Sequence, residues 1–176
     1  MLYQERNDTC RNEYLEKVKK WPKAKRVYID ETGFNAPLIR EYGYGLIGER
    51  VMGERTGKRF ARTSLIGGWR DGKAVAPMEF RGYCDTEMVL SWAEELLVPE
   101  LCTGDVVILD NASFHKSLEL QEVIEAAGCT LLFLPPYSPD LNPIESFWAT
   151  LKAWIRALNE PFLHISQALT KVFQYL

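Results

Sequence analysis

The chain has 176 residues, and its hydrophobic fraction of 47% and aromatic fraction of 12% are enough for the core of one domain of ordinary size. No run of about 18 apolar residues occurs and the N-terminal segment is charged throughout, so the sequence predicts a cytoplasmic protein with no transmembrane helix, signal peptide or membrane partner. The net charge of −3 taken alone argues against a nucleic-acid partner, although basic residues crowd the segments 17–26 and 50–62.

The first half of the chain predicts one helix and three strands. The helix is expected over residues 10–20 and a short strand over 26–30. Two further strands are expected over 59–69 and 74–81, and the Asp71-Gly72 pair between them favours a tight hairpin turn.

The second half of the chain alternates helices with strands. In chain order, the pattern predicts a helix at 86–98 capped by Asp85-Thr86, a strand at 106–110, a helix at 117–127, a strand at 130–134, a helix from Pro143 to Leu158 and a last amphipathic helix. This order of elements predicts an α/β fold, namely a ribonuclease-H-like mixed five-stranded sheet with helices on both faces.

The cysteines do not form a metal-binding pattern. Cys10, Cys84, Cys102 and Cys129 are scattered along the chain without a CxxC pair. The sequence therefore predicts reduced and mostly buried thiols.

Asp110 ends the most apolar predicted strand, VVILD (106–110). A carboxylate directly after a strand that is buried on both faces is costly unless it has a partner, and open α/β sheets place their chemistry at the carboxyl ends of strands. The alternative is that Asp110 caps the turn that follows, which the residues Asn111-Ala112-Ser113 would allow.

Asp30 repeats this arrangement at the end of the strand RVYID (26–30), and Glu31 follows it. Successive residues of a strand point to opposite faces, so only one of the two acids can point into a common site. The order of residues alone does not choose between them.

Glu145 stands at the third position of the helix that begins at Pro143. With Asn142 as the N-cap, Glu145 would complete a capping box, which is a purely structural role. The same helix also carries a stripe of Glu145, Ala149, Lys152 and Arg156, and one carboxylate beside two cations suits a metal site next to phosphate-binding residues.

Two strand ends and a helix start can bring Asp30, Asp110 and Glu145 together at one edge of the sheet. Two Mg²⁺ ions about 4 Å apart need such ligands, and they would activate an attacking water or 3′ hydroxyl and stabilise the leaving oxygen. A phosphatase with an aspartate nucleophile would instead need a second acid two residues after the first, where Thr32 stands.

Four segments resemble the catalytic domain of DDE transposases of the mariner superfamily, most closely the bacterial insertion-sequence branch. They are YIDETGFN (28–35), TSLIGGWRDGKAVAPMEFRG (63–82), GDVVILDNASFHKS (104–117) and LLFLPPYSPDLNPIESFWATLKAWIR (131–156). The 34 residues between Asp110 and Glu145 match the spacing usual in that branch.

The resemblance implies that Asp30 rather than Glu31 is the first catalytic residue, and that Asp30, Asp110 and Glu145 bind two Mg²⁺ or Mn²⁺ ions. It implies metal-dependent cleavage and transfer of DNA strands during transposition of an insertion sequence. Further candidates for DNA contact are Asn111, His115, Lys116, Lys152 and Arg156. We expect Asn111 to orient Asp110, and His115 to contact a phosphate or a metal-bound water.

The resemblance also implies partners and an organisation of the chain. We expect an N-terminal helical linker at 1–24, the catalytic domain at 25–160 and a C-terminal helical tail at 161–176. The partners expected are double-stranded DNA at transposon ends and target, a second copy of the chain in the DNA complex, and a separately encoded helix-turn-helix region. The alternative function is a catalytically silent fragment that regulates a full-length transposase by binding it or its DNA.

Overall fold

Five strands form one mixed sheet in the order β3-β2-β1-β4-β5 in the computed structural model, which describes residues 7–34, 44–50, 52, 62–112, 115–158 and 165–174. The strands are β1 (Arg26–Phe34), β2 (Thr63–Arg70), β3 (Lys73–Arg81), β4 (Val106–Leu109) and β5 (Thr130–Phe133). β1 pairs antiparallel with β2 and parallel with β4, and β5 extends the parallel half. The predicted fold class is confirmed.

The β2–β3 hairpin turns where the sequence predicted. Asp71 and Gly72 both have positive φ angles, 44° and 90°, which a type I′ turn requires at its two central residues. The strand predicted from residue 59 is described only from Thr63, because residues 59–61 lie outside the described part of the chain.

β4 lies in the centre of the parallel half and is shielded on both faces. All four of its residues, Val106 to Leu109, are at most 1% exposed. Full burial of one such side chain contributes about 1.5–3 kcal/mol, so the apolar run fixes β4 in the middle of the sheet. The loop that follows β4 is therefore held from below by a rigid strand.

Helices cover both faces of this sheet. They are α1 (Asp8–Val18), α2 (Thr86–Trp92), α3 (Leu118–Ala126), α4 (Ile144–Ala157) and α5 (Ile165–Phe173). Val27, Ile29 and the helices α2 and α3 share one core cluster, whereas α4 and α5 pack with Leu65 in a second and α1 packs with Ile108 in a third. Alternate residues along a strand therefore pack against helices on opposite faces of the sheet.

The helix predicted over 86–98 is less regular than expected. Asp85 caps it as predicted, with its carboxylate accepting from the amide of Met88 at 2.9 Å. The helix then continues as a π-helix over Ala93–Leu97 and a 3-10 turn over Val98–Glu100. Proline at position 99 has no amide hydrogen and cannot continue an α-helix hydrogen-bond pattern.

The four cysteines are less buried than the sequence predicted. The cysteines are free, but Cys10 and Cys102 are exposed, so the prediction of mostly buried thiols is wrong for two of four.

The division into segments 1–24, 25–160 and 161–176 stays a prediction, although α1 and α5 both pack against the sheet. Among the described residues, no helix is long and apolar enough to cross a membrane.

Candidate active site

Parallel pairing places Asp30 and Asp110 beside each other. β1 and β4 pair with Arg26 opposite Val106 and Tyr28 opposite Ile108. The same offset continued for two residues sets Asp30 opposite Asp110. Asp110 directly follows β4, as predicted, but Asp30 lies in the middle of β1. The prediction of a strand that ends at Asp30 is wrong, because antiparallel pairing with β2 continues β1 to Phe34. Asp30 follows the face of Tyr28 and Glu31 the face of Ile29, as the alternation of side chains requires.

Glu145 comes to the same place from the start of α4. The predicted capping box is absent: no side chain caps α4, and the residue before its first turn is Pro143 in the helical region. The amide of Glu145 bonds the backbone oxygen of Asn142 at 3.2 Å, while the buried Oδ1 of Asn142 has no partner among the described residues. The exposed Glu145 side chain is therefore not used for capping.

The three carboxylates line one cavity of about 530 Å³. The other walls come from the loop after β4 and from the proline-rich loop between β5 and α4. The lining residues are Asp30, Asp110, Asn111, Ala112, Leu134, Pro135, Pro136, Tyr137, Ser138, Pro139, Asn142 and Glu145. Glu31 is not among them, so the structure brings Asp30 rather than Glu31 to the cavity.

Asp30 lies in an environment that disfavours its charge. Burial raises its pKa to about 7, and the negative charges of Glu145, Glu31 and Asp110 add to the effect. One hydrogen bond from the backbone amide of Glu31, at 2.9 Å, acts in the opposite direction. A cation in the cavity would relieve this repulsion.

Asp110 lies in the opposite kind of environment. Its pKa is lowered, mainly by the hydrogen bond from His115, whose Nδ1 lies 2.7 Å from Oδ1. The amide of Ala112 also donates to Oδ1 at 2.9 Å. On the other side of the ring, Nε2 of His115 lies 2.7 Å from Oε1 of Glu31.

The His115 ring is fully buried between these two acids. Burial disfavours its charged form, but the hydrogen bonds to Asp110 and Glu31 outweigh burial and raise its pKa to about 9. The contact of His115 with DNA stays a prediction, while both ring nitrogens contact protein carboxyl groups in this structure.

Asn111 links the ends of β4 and β5, since its side-chain amide donates to the backbone oxygen of Leu134. It lines the cavity but does not hold the Asp110 carboxylate, which the amide of Ala112 and the ring of His115 hold instead. The predicted orienting role thus falls to other residues.

The predicted cations lie around the cavity. Lys116 is exposed and its charge contributes to the lowered pKa of Asp110. Lys152 is partly buried, with Nζ 5.8 Å from the centre of the Phe34 ring; burial lowers its pKa, while Glu145 and Asp30 act to raise it. Arg156 lies near enough to Lys152 to oppose its charge. A basic strip therefore runs along α4 away from the carboxylates.

The donor set of the cavity fits hard divalent cations. It includes the carboxylate oxygens and the unpartnered Oδ1 of Asn142. Burial and neighbouring negative charges also disfavour the ionised form of Asp30, and a bound cation would offset this effect. Among the described residues, however, no three His, Cys, Asp or Glu side chains are grouped closely enough to hold one ion. Mg²⁺ is usually held by one or two carboxylates together with water and substrate phosphates, so a group of three on each ion is not required.

Two features of this site escaped the sequence reasoning, namely the contact of Glu31 and the backbone conformation of Tyr137. Glu31 was treated as an outward neighbour of Asp30, and its contact with His115 joins positions 84 residues apart. Tyr137 lines the cavity with a positive φ of 52°, which is strained for an aromatic residue. The tyrosine between prolines and a following Ser-Pro was a signal for a tight turn, but not for its conformation.

The fold is a ribonuclease-H-like mixed sheet that carries one acid within β1, one directly after β4 and one at the start of α4. Residues 25–167 match the family described as DDE superfamily endonuclease. Since this match covers most of the chain, the protein belongs to that family.

Solved structures share the fold of this chain. The structure is similar to the crystal structure of the catalytic domain of Mos1 mariner transposase, with a TM-score of 0.66 and 16% identity over 99% of this chain and 82% of that one. It is also similar to the Mos1 strand transfer complex, with a TM-score of 0.66 and 17% identity over 86% of this chain and 49% of that one. At these identities the matches establish the fold.

A bacterial relative is the uncharacterized protein y4pE/y4sA of Sinorhizobium fredii (strain NBRC 101917 / NGR234). It is 35% identical over 86 residues, which are 45% of this chain and 62% of that protein. The chain thus spans less than two thirds of this relative and about half of the Mos1 chain in the strand transfer complex.

Proposed function

We propose that this chain is the catalytic part of a DNA transposase that cuts and joins DNA strands during transposition of an insertion sequence. The observation that carries the proposal is the convergence of Asp30, Asp110 and Glu145 on one cavity beside the neighbouring parallel strands β1 and β4. Family membership supports the same reaction class.

Asp30, Asp110 and Glu145 would hold the metal, which we propose to be two Mg²⁺ or Mn²⁺ ions. When bound, these ions would supply Lewis acidity for the attacking hydroxyl or water and for the leaving oxygen. Mos1 structures have been described with Mn and with Mg. The proline-rich loop positions Glu145, and the buried strands below Asp30 and Asp110 hold those two acids in place.

We propose that double-stranded DNA binds along the cations beside the cavity. Lys152 and Arg156 extend from Glu145 at helical spacing and can contact backbone phosphates, and Lys116 lies beside Asp110. Asn111 on the cavity wall is a further candidate for contact with a strand end. A second copy of the chain and a separately encoded helix-turn-helix region complete the proposed assembly.

Cleavage of a duplex that carries a terminal repeat tests the proposal, with the helix-turn-helix region supplied in trans. Asp110→Asn should lower Mg²⁺-dependent nicking by about 1,000-fold, since metal-derived charge stabilisation is worth several kcal/mol. Asp71→Asn is the matched control, because Asp71 lies in the exposed β2–β3 turn and asparagine also tolerates its positive φ. Unchanged nicking by Asp110→Asn would contradict the proposal.

Absence of nicking by the wild-type chain would favour the alternative function, a silent regulatory fragment. Titration with Mn²⁺ then separates the two cases. A catalytic domain should bind Mn²⁺ in a manner that Asp30→Asn and Asp110→Asn both weaken. A silent fragment needs no such binding.

A further inference from the structure

The ring of His115 connects two acids that enter the site from different strands. Nδ1 lies 2.7 Å from Oδ1 of Asp110 and Nε2 lies 2.7 Å from Oε1 of Glu31. The ring therefore bridges the two carboxyl groups, with one nitrogen within hydrogen-bond distance of each.

Glu31 takes part in this arrangement without entering the cavity. It extends from the face of β1 opposite to Asp30 and also accepts a hydrogen bond from the thiol of Cys84 at 3.6 Å. Its side chain is 18% exposed, whereas that of His115 is fully buried. Glu31 thus fixes the ring from the outer side, and Asp110 binds the inner side.

The contacts on Asp110 are unequal between its two oxygens. His115 and the amide of Ala112 both bind Oδ1. Since Asp110 lines the cavity and its side chain is 47% exposed, Oδ2 is the oxygen presented to a ligand. Two hydrogen bonds on one oxygen fix the rotation of the carboxylate about its last torsion angle.

We propose that Glu31 and His115 form a positioning pair that orients the Asp110 carboxylate toward the metal. The inference rests on the proposed function, because it assigns to these residues a task at the same site. Mg²⁺ demands near-ideal octahedral geometry, so a fixed carboxylate loses less freedom on binding than a rotating one. Hydrogen-bond partners of metal ligands typically contribute about 10- to 100-fold to metal affinity.

The two adjacent acids of β1 therefore both serve the site. Asp30 acts in the cavity, and Glu31 acts through His115 on the aspartate of the neighbouring strand. The alternation of faces along β1 separates these roles.

Mn²⁺ affinity of the full chain, measured by calorimetry without DNA, tests the pair. Glu31→Ala and His115→Gln should each weaken Mn²⁺ binding by about 10-fold or more. Glu31→Gln keeps an acceptor oxygen and should give an intermediate affinity. The double variant Glu31→Ala/His115→Gln should be no weaker than the weaker single variant, because both act through one carboxylate. Glu122→Gln, an exposed acid on α3, is the control and should bind as the wild type does.

Nuclear magnetic resonance of the metal-free chain gives a second readout that does not depend on metal. The Nε2 signal of the His115 ring should shift in Glu31→Ala, because this variant removes the carboxyl group that contacts Nε2. His115 is fully buried, so Glu31→Ala keeps the test valid if His115→Gln fails to fold.

Wild-type Mn²⁺ affinity in folded Glu31→Ala and His115→Gln would overturn the positioning role. If these variants bind normally while Asp110→Asn does not, the proposed function stands and the positioning pair fails. If Asp110→Asn itself keeps full Mn²⁺ affinity, the proposed function fails and the positioning pair fails with it.

Discussion

Asp30 within β1 and Asp110 directly after β4 lie opposite each other but in contrasting electrostatic environments. Burial and neighbouring carboxylates raise the pKa of Asp30 to about 7. The hydrogen bond from His115 lowers the pKa of Asp110. Two acids that parallel pairing makes equivalent thus differ in their readiness to ionise, because only one of them has a buried imidazole as partner.

This difference indicates how the site can accept cations at neutral pH. Asp110 is ionised and oriented before anything binds, so it can serve as the first ligand. Asp30 is partly protonated near its pKa of about 7, and cation binding would release that proton. Cation binding would therefore depend on pH, because Asp110 is already ionised whereas Asp30 must lose a proton.

Replacement of each aspartate by asparagine should change the free energy of unfolding in opposite directions. In metal-free protein at pH 8, Asp30→Asn should raise the free energy of unfolding by about 1–3 kcal/mol, since it removes a disfavoured charge. Asp110→Asn should lower it by about 1–3 kcal/mol, because it leaves the buried His115 ring with a poorer hydrogen-bond partner. Urea unfolding in the presence of a chelator measures both.

The pH dependence of these effects provides the control. The folded pKa of Asp30 lies above its unfolded value of about 3.9, so its cost is absent near pH 4 and grows until about pH 7. The gain in unfolding free energy from Asp30→Asn should therefore also be absent near pH 4 and grow until about pH 7. A gain that is equally large at pH 4 would show that shape, rather than charge, is responsible.

A smaller effect should appear when the imidazole itself is replaced. His115 has a folded pKa of about 9 against about 6.5 when unfolded, so its contribution is complete below pH 6.5 and is lost as the pH rises through 9. His115→Gln should therefore cost about 1–2 kcal/mol near pH 6 in metal-free protein, discounted because Asp110 is half exposed. The cost should shrink toward pH 10 in chelator-treated samples, and a pH-independent cost would point to packing alone.

Local sequence patterns predicted the framework of this site well. The apolar run before Asp110 predicted a strand buried on both faces, and Asp71-Gly72 predicted a tight turn. Such features depend on residues near one another in sequence, where burial and backbone preference act directly. The same reasoning correctly placed Asp110 after a strand end, but it ended β1 at Asp30, because the pairing with β2 that continues β1 to Phe34 is a long-range contact.

The electrostatic partners of the site were not accessible in this way. The contact between Glu31 and His115 joins positions 84 residues apart, which no local pattern encodes. For Glu145, the local alternative of a capping box is wrong, because Pro143 takes helical angles and no side chain caps α4. A long-range contact decided the first case and a local backbone conformation the second.

The smallest expected effect concerns the loop that precedes Glu145. Asp140 in the loop before Glu145 accepts two hydrogen bonds from Arg11 of α1, at 2.9 and 2.6 Å. Arg11→Lys loses the paired geometry and should cost about 0.5 kcal/mol of stability, since the Asp140 side chain is 47% exposed. Lys19→Gln, which removes the exposed pair with Glu16, is the control and should change stability less.

The Arg11 pair also tests whether α1 supports the site. If α1 holds the loop, Arg11→Lys should weaken Mn²⁺ binding slightly, while Lys19→Gln should leave it unchanged. Equal Mn²⁺ affinity in both variants would mean that Glu145 is positioned by α4 and the sheet alone. The three acids would then all depend on the core, and the difference between Asp30 and Asp110 would remain a matter of their immediate neighbours.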